Sequence, residues 1–157
     1  VDLIAEIRKK IPGVGLRTSL IVGFPSETDK EFAELSSFIE ETKFERLGAF
    51  IYSREEGTPA YNFKKQLPRK IKTERFNAIM SGQQKISCQI NKNFLGKTLD
   101  VIIDDKENDF YLGRSQYDTP EVDGLVYVNS KGPLKAGDFV KVKVTDTLEY
   151  DLVGEVK

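Results

Sequence analysis

Near residue 96 the hydrophobic period of this chain changes, and with it the kind of structure the residues can make. Up to Phe94 the apolar residues recur at helical intervals or in short solid runs; from Lys97 they alternate. LDVIIDD (99–105), FYLGRSQYD (110–118), GLVYVNS (124–130), FVKVKVTDT (139–147) and LVGEV (152–156) read as five short strands divided by turn residues. Successive side chains leave a strand on opposite faces. Val140, Val142 and Val144 are therefore expected to point inward, and Lys141 and Lys143 outward. Five such strands predict a small antiparallel barrel or sandwich over 96–157.

Residues 1–95 alternate helix with strand. DLIAEIRKK (2–10) sets Leu3, Ile4 and Ile7 at helical spacing and ends on cations, which suit the negative end of a helix dipole; Pro12 and Gly13 stop it. LRTSLIVGF (16–24) and RLGAFIY (46–52) are apolar strands of the kind buried in a parallel sheet. The helix between them runs to about Thr42, with Ser26 or Thr28 as its cap and Asp29 or Glu31 three residues later. Helix, strand, helix, strand implies parallel pairing with right-handed crossovers. After the loop SREEGTPAYNF (53–63) and Pro68, residues 69–94 read as one long helix with Ile71, Phe76, Ile79, Met80, Ile86, Ile90 and Phe94 on its apolar side; Gly96 ends it. Two parallel strands bury too little to be stable as a layer by themselves, so an open sheet edge is expected.

The charge divides at the same place. Residues 1–95 carry 16 basic and 12 acidic residues, a net +4; residues 96–157 carry 8 and 13, a net −5. A sign change of this kind predicts two units with different partners. Histidine is absent and Cys88 is the sole cysteine. A Ser-His-Asp triad, a histidine-bound zinc and an internal disulfide are thus excluded within the chain. No signal-peptide pattern opens the sequence and no apolar run approaches bilayer-spanning length. A soluble cytoplasmic protein with no membrane partner is expected.

Several stretches are candidates for chemistry. Gly23-Phe24-Pro25 and Tyr52-Ser53 stand at the carboxyl ends of the two strands, the edge at which parallel sheets bind ligands. Gly23 would let a ligand approach the backbone, and the helix that follows offers amides; a plain strand-to-helix turn wants the same residues. Arg17, Thr18 and Ser19 form the polar start of the first strand. Glu55 and Glu56 are adjacent loop carboxylates, which ordinarily point apart, and Cys88 fits packing in mid-helix. KKQLPRKIKTER (64–75) carries six cations against Glu74. A nucleic acid would suit that stretch, and a solvated helix face suits it at least as well.

Three of these stretches together resemble the radical S-adenosylmethionine (SAM) methylthiotransferases. LRTSLIVGFPSET is similar to the family's T-x-x-I-V-G-F-P-G-E-T, with Ser26 in place of Gly; Ser is small and caps helices. YSREEGTPAY is similar to Y-S-x-E-x-G-T-x-A. The five strands resemble the TRAM domain that closes these enzymes. GRSQYDTPEVDGLVYV resembles the signature of the branch acting on an aspartate of ribosomal protein S twelve rather than the branch acting on tRNA.

The resemblance implies an α/β plus all-β chain. Residues 1–95 would be the C-terminal part of a radical-SAM (β/α) barrel with its connecting helix, and 96–157 a five-stranded antiparallel OB-like TRAM barrel. It implies SAM near Arg17, Thr18, Ser19, Ile21, Val22, Gly23, Tyr52 and Ser53. It also implies two [4Fe-4S] clusters in the full-length protein, held by an N-terminal part outside this chain, so that the chain alone would bind none and be inactive. Ribosomal protein S twelve would be the partner. An acidic barrel suits that basic protein and argues against a nucleic acid. The turn carrying Asp118, Glu121 and Asp123 around Pro120 is the expected docking element. The alternatives are a fragment of a tRNA methylthiotransferase and a stand-alone OB-like binding module.

Overall fold

The computed structural model describes residues 2–120 and 122–157, which divide into two compact units, 1–86 and 87–157. The first unit begins with α1 (Asp2–Lys10), then β1 (Arg17–Val22), α2 (Asp29–Thr42) and β2 (Arg46–Ile51). A 3-10 turn (Pro59–Asn62) and α3 (Arg69–Lys92) follow, and the division between the units falls within α3.

β1 and β2 pair in parallel, in register from Arg17↔Arg46 to Val22↔Ile51. Parallel neighbours need a crossover, and α2 is that crossover. Strand alternation gives the two-stranded sheet two unlike faces. Val22 and Ala49 go into the unit's core with Ile39, Phe44, Tyr52 and Ile79. Ile21 and its register partner Phe50 lie on the other face, each 59% exposed.

α2 starts on a capping box. Thr28 accepts from the Glu31 amide at 3.2 Å, and the Glu31 carboxylate accepts from the Thr28 amide at 2.7 Å. Lys43 ends the helix in the left-handed region (φ 51), its N–H returning to Ile39 O. Arg8 supplies the cation that a helix C-terminus favours. Its guanidinium donates to Thr42 O (2.6 Å) and Lys43 O (2.9 Å) and pairs with Glu45 (3.1 Å). α1 is therefore tied by this one side chain more than by apolar packing: none of its described residues is buried, and Leu3 is 68% exposed.

The second unit is a closed barrel of β3 (Thr98–Glu107), β4 (Phe110–Ser115), β5 (Val126–Asn129), β6 (Phe139–Thr147) and β7 (Leu152–Val156), in the order β3-β4-β5-β7-β6. The expectation of an antiparallel barrel is corrected here, because β5 and β7 run parallel. The reason is parity. Direction cannot alternate all the way round a closed ring with an odd number of strands, so one neighbouring pair must be parallel.

The barrel core is Leu99, Val101, Ile103, Tyr111, Val126, Val128, Val142, Val144 and Leu152, with Val140 partly buried against it. Lys141 and Lys143 are exposed between these valines. Bulges at Ile103/Asp105 and Val144/Asp146 bend β3 and β6, as closure of a small barrel requires.

β4 stops at Ser115, three residues short of the strand read from the sequence. The chain folds back there because Asp118 accepts from the Ser115 hydroxyl (2.6 Å) and amide (3.2 Å). Asn91, fully buried near the end of α3, donates to Leu148 O at 3.3 Å and so fixes the β6–β7 connection.

Candidate functional site

The turn after β1 shows why an apolar strand ends on Gly-Phe-Pro. Gly23 has φ +75, and a Cβ there would stand 2.5 Å from Lys72 Cγ. The space left by the absent side chain is thus filled by the alkyl stem of Lys72. The Gly23 amide is also taken: it donates to both carboxylate oxygens of Glu27 at 3.1 Å. Glu27 in turn receives the guanidinium of Arg75, a short contact, and Arg75 further donates to Glu27 O (3.1 Å) and to Asp29 (2.7 Å). Arg75 is 5% exposed. Burial works against its charge, but the hydrogen bonds and charges of Asp29 and Glu27 outweigh that and raise its pKa above the ordinary arginine value.

Ser26 does not cap the helix. Its φ of 72 places it in the left-handed region, where a Cβ is disfavoured. The glycine of the family pattern has its physical reason there, and the view of serine as an equivalent cap is corrected: Thr28 does the capping. Hydrogen bonds from the Thr28 amide, and then its hydroxyl, hold the Glu31 carboxyl below its ordinary pKa.

The residues expected around SAM do not converge on one surface. Arg17, Ser19 and Ile21 lie on the exposed face of β1, across from Arg46, Gly48 and Phe50 of β2. Thr18 and Val22 lie on the opposite face, with Val22 fully buried. Gly23 is enclosed by Lys72 and Glu27. Tyr52 is 9% exposed; its hydroxyl donates to Ala60 O (3.1 Å) and its ring packs on Phe24. Ser53 is exposed beyond the end of β2.

In the acidic turn, Glu121 lies outside the described residues. Asp123 accepts from the Thr119 amide at 2.7 Å, and Asp118 is bonded to Ser115. Both carboxylates shape the turn and are half-buried. A Cβ on Gly124 would overlap Tyr150 O, which explains the glycine that follows. Much of GRSQYDTPEVDG is thereby accounted for by the barrel's own geometry. A groove of about 260 Å3 opens beside it, lined by Asp100, Ile102, Arg114, Asp118 and Phe139 among others.

Sequence reasoning missed the inner seam of α3. Arg75, Ile79, Gln83, Ser87 and Asn91, spaced four apart, are 5%, 3%, 1%, 2% and 0% exposed. Four of these five are polar, so an apolar periodicity could not find them. The signal was a regular i, i+4 series of polar residues on a helix too long to be solvated all round.

Among the described residues no group of three His, Cys, Asp or Glu side chains is placed to hold a metal ion, and no helix is long and apolar enough to cross a membrane.

Residues 95–156 match the family model described as "TRAM domain". The whole chain is similar to curated proteins named "Ribosomal protein uS12 methylthiotransferase RimO". It is 48% identical to the protein of Desulforamulus reducens over 98% of this chain and 35% of that one. It is 45% identical to the Parabacteroides distasonis protein over 99% and 36%, and 49% identical to that of Caldanaerobacter subterraneus subsp. tengcongensis over 98% and 35%. The chain spans about a third of the length of these relatives.

Proposed function

Since the chain belongs to the RimO family of methylthiotransferases, we propose that it is a C-terminal part of a radical SAM enzyme that places a methylthio group on the β-carbon of an aspartate in ribosomal protein uS12, in the cytoplasm. The observation that carries this reading is the 45–49% identity to proteins of that name along nearly all of the chain.

An iron-sulfur cluster of this kind needs a set of cysteine thiolates. Cys88, the chain's only cysteine and partly buried within α3, does not supply one. Clusters would be held outside residues 1–157, and no step of the chemistry is assigned here to this chain. On its own the chain would be inactive.

SAM fits in part. The exposed face of β1–β2 offers Ile21 and Phe50 as apolar contacts and Arg17 and Ser19 as polar ones, with Ser53 beyond the strand end. SAM bound there would supply the methyl group and the radical precursor. Thr18, Val22, Gly23 and Tyr52 would act from behind, keeping the strand ends in place. The net charge of −5 over 96–157, to which Asp118 and Asp123 contribute while their carboxylates hold the turn, favours the barrel as the element that meets the basic ribosomal protein.

The experiment is reconstitution of the full-length protein with iron and sulfide, which load the clusters and supply the inserted sulfur, then with SAM, a reductant and uS12, followed by mass spectrometry of the ribosomal protein. The reading expects one methylthio group in place of one hydrogen on a single aspartate, and no product with the 157-residue chain alone. Modification of tRNA instead of uS12 would refute the branch assignment, and product from the chain alone would refute the division of labour.

A further inference from the structure

The basic stretch 64–75 divides in two once folded. Arg75 is buried in its pair with Glu27 and Asp29. Lys72 donates to Tyr52 O (3.1 Å) with its ammonium 4.8 Å from the Tyr52 ring centroid. Both are structural. Lys64, Lys65, Arg69 and Lys70 are exposed instead, and no acidic residue occurs from Gly57 to Thr73. Among the described residues the first three make no ion pair, and Lys70 reaches only Glu74, at 4.0 Å. Beyond that one long, exposed pair the fold gains little from these charges: Arg69 and Lys70 stand in the first turn of α3, where the helix dipole disfavours cations.

Exposed rings stand in the adjoining chain. Phe63 is 46% and Phe24 40% exposed, and they meet edge to face at 5.8 Å, with Phe24 braced on Tyr52 at 5.1 Å. The backbone beneath is held by Ser26 N–H to Lys65 O (3.1 Å) and by the Gln66 side chain to Phe63 O (3.1 Å). The backbone that carries Phe63 and Lys65 is thus held in place.

We infer that this surface binds single-stranded RNA, with phosphates on Lys64, Lys65, Arg69 and Lys70 and a base stacked against Phe63 and Phe24. An acidic peptide would use the cations but gain little from the ring faces, whereas every base has a π-face to stack. The source of the RNA rests on the proposed function: a ribosomal protein lies against ribosomal RNA, so an enzyme acting on it there meets phosphates beside its target. The charge division of the chain then has a use at both ends, +4 over 1–95 for RNA and −5 over 96–157 for a basic protein.

The test is fluorescence anisotropy of a labelled single-stranded RNA oligonucleotide with the 157-residue chain as salt is raised. Four phosphate contacts give a slope of log K against log salt of about −2.8, a loss of roughly 50-fold between about 50 and 200 mM. Lys64→Gln with Lys65→Gln should flatten the slope by about 1.4. Phe63→Ala should weaken binding about fivefold or more at unchanged slope, because it removes stacking and no charge. Lys141→Gln with Lys143→Gln, on the barrel, should change neither. Absence of binding at about 50 mM salt overturns the proposal. So does a slope indifferent to Lys64 and Lys65, or an oligoglutamate peptide that displaces RNA from the chain and from Phe63→Ala equally well. The assay holds neither SAM nor ribosomal protein. A negative result therefore removes the RNA contact alone, and the methylthiotransferase reading fails separately, on the mass of uS12.

Discussion

Replacing Glu27 by Ala should be among the most damaging single changes in residues 1–86. Arg75 has three acceptors: the Glu27 carboxylate, Glu27 O and Asp29. They are not equal. The Glu27 side chain is 13% exposed and that of Asp29 fully exposed, so water screens the second pair and not the first. An exposed pair is worth about 0–1 kcal/mol, whereas removing one partner of a buried pair costs about 3–5 kcal/mol. Glu27→Ala also strips the Gly23 amide of its acceptors, a further penalty of about 1–3 kcal/mol if no water reaches it. The retained carbonyl and Asp29 offset part of this, which leaves an expected loss of about 3 kcal/mol for Glu27→Ala and a much smaller one for the solvent-screened Asp29→Ala. Arg75→Met combined with Glu27→Ala should lose less than the sum of the two, with a coupling of about 1.5 kcal/mol or more. Native-state hydrogen exchange on the β1 and β2 amides suits the measurement, because a single melt of a chain with two units mixes their transitions. The Gly23 amide is the local reporter and should lose its protection in Glu27→Ala. Equal losses for Glu27→Ala and Asp29→Ala, or no coupling with Arg75, would refute the burial argument.

Three other outcomes are expected. Ser26→Gly should stabilise residues 1–86 by about 0.5–1 kcal/mol in native-state hydrogen exchange, since relief of a left-handed Cβ exceeds the extra entropy of unfolded glycine; a loss would show that the serine side chain is needed. Gly124→Ala should destabilise the barrel by about 2 kcal/mol or more, because the new Cβ meets the Tyr150 backbone carbonyl rather than a movable side chain; an unchanged midpoint for residues 87–157 contradicts the close approach. Glu31 has its folded pKa below the ordinary 4.5, so its contribution is complete above the unfolded pKa and is lost as pH falls through the folded one. The hydrogen-exchange stabilities of α2 in Glu31→Gln and the parent chain should accordingly converge as the pH drops below 4.5, and a gap that stays constant into acid speaks against the capping box.

The order of elements could be read from the sequence because each rests on a local cause. The switch from helical to alternating period separated an α/β part from a β part, Thr28 was one of two cap candidates, and FVKVKV stated its own facing; α3 ends at Lys92, two residues before the end read from the sequence and ahead of the expected stop at Gly96. What could not be read depends on residues brought from far along the chain. Gly23 looked like an opening for a ligand because glycine leaves a vacancy; only the fold shows Lys72, 49 positions later, filling it. The acids of the Asp118–Asp123 turn looked available until Asp118 and Asp123 were found bonded to Ser115 and Thr119.

By itself, then, the sequence determined the periods and the family resemblance, both of which are carried by neighbours within a few residues; the choice of Thr28 over Ser26 as cap came from the fold. Tertiary structure alone decided how the barrel closes, with one parallel pair forced by an odd ring. It also decided that the seam of α3 is polar and which of the cations from 64 to 75 are buried as ties and which stay exposed. For the barrel the reason is the parity of a closed ring; for α3 and the cations it is that hydrogen bonds and ion pairs across long separations assign a polar side chain to the interior or to solvent.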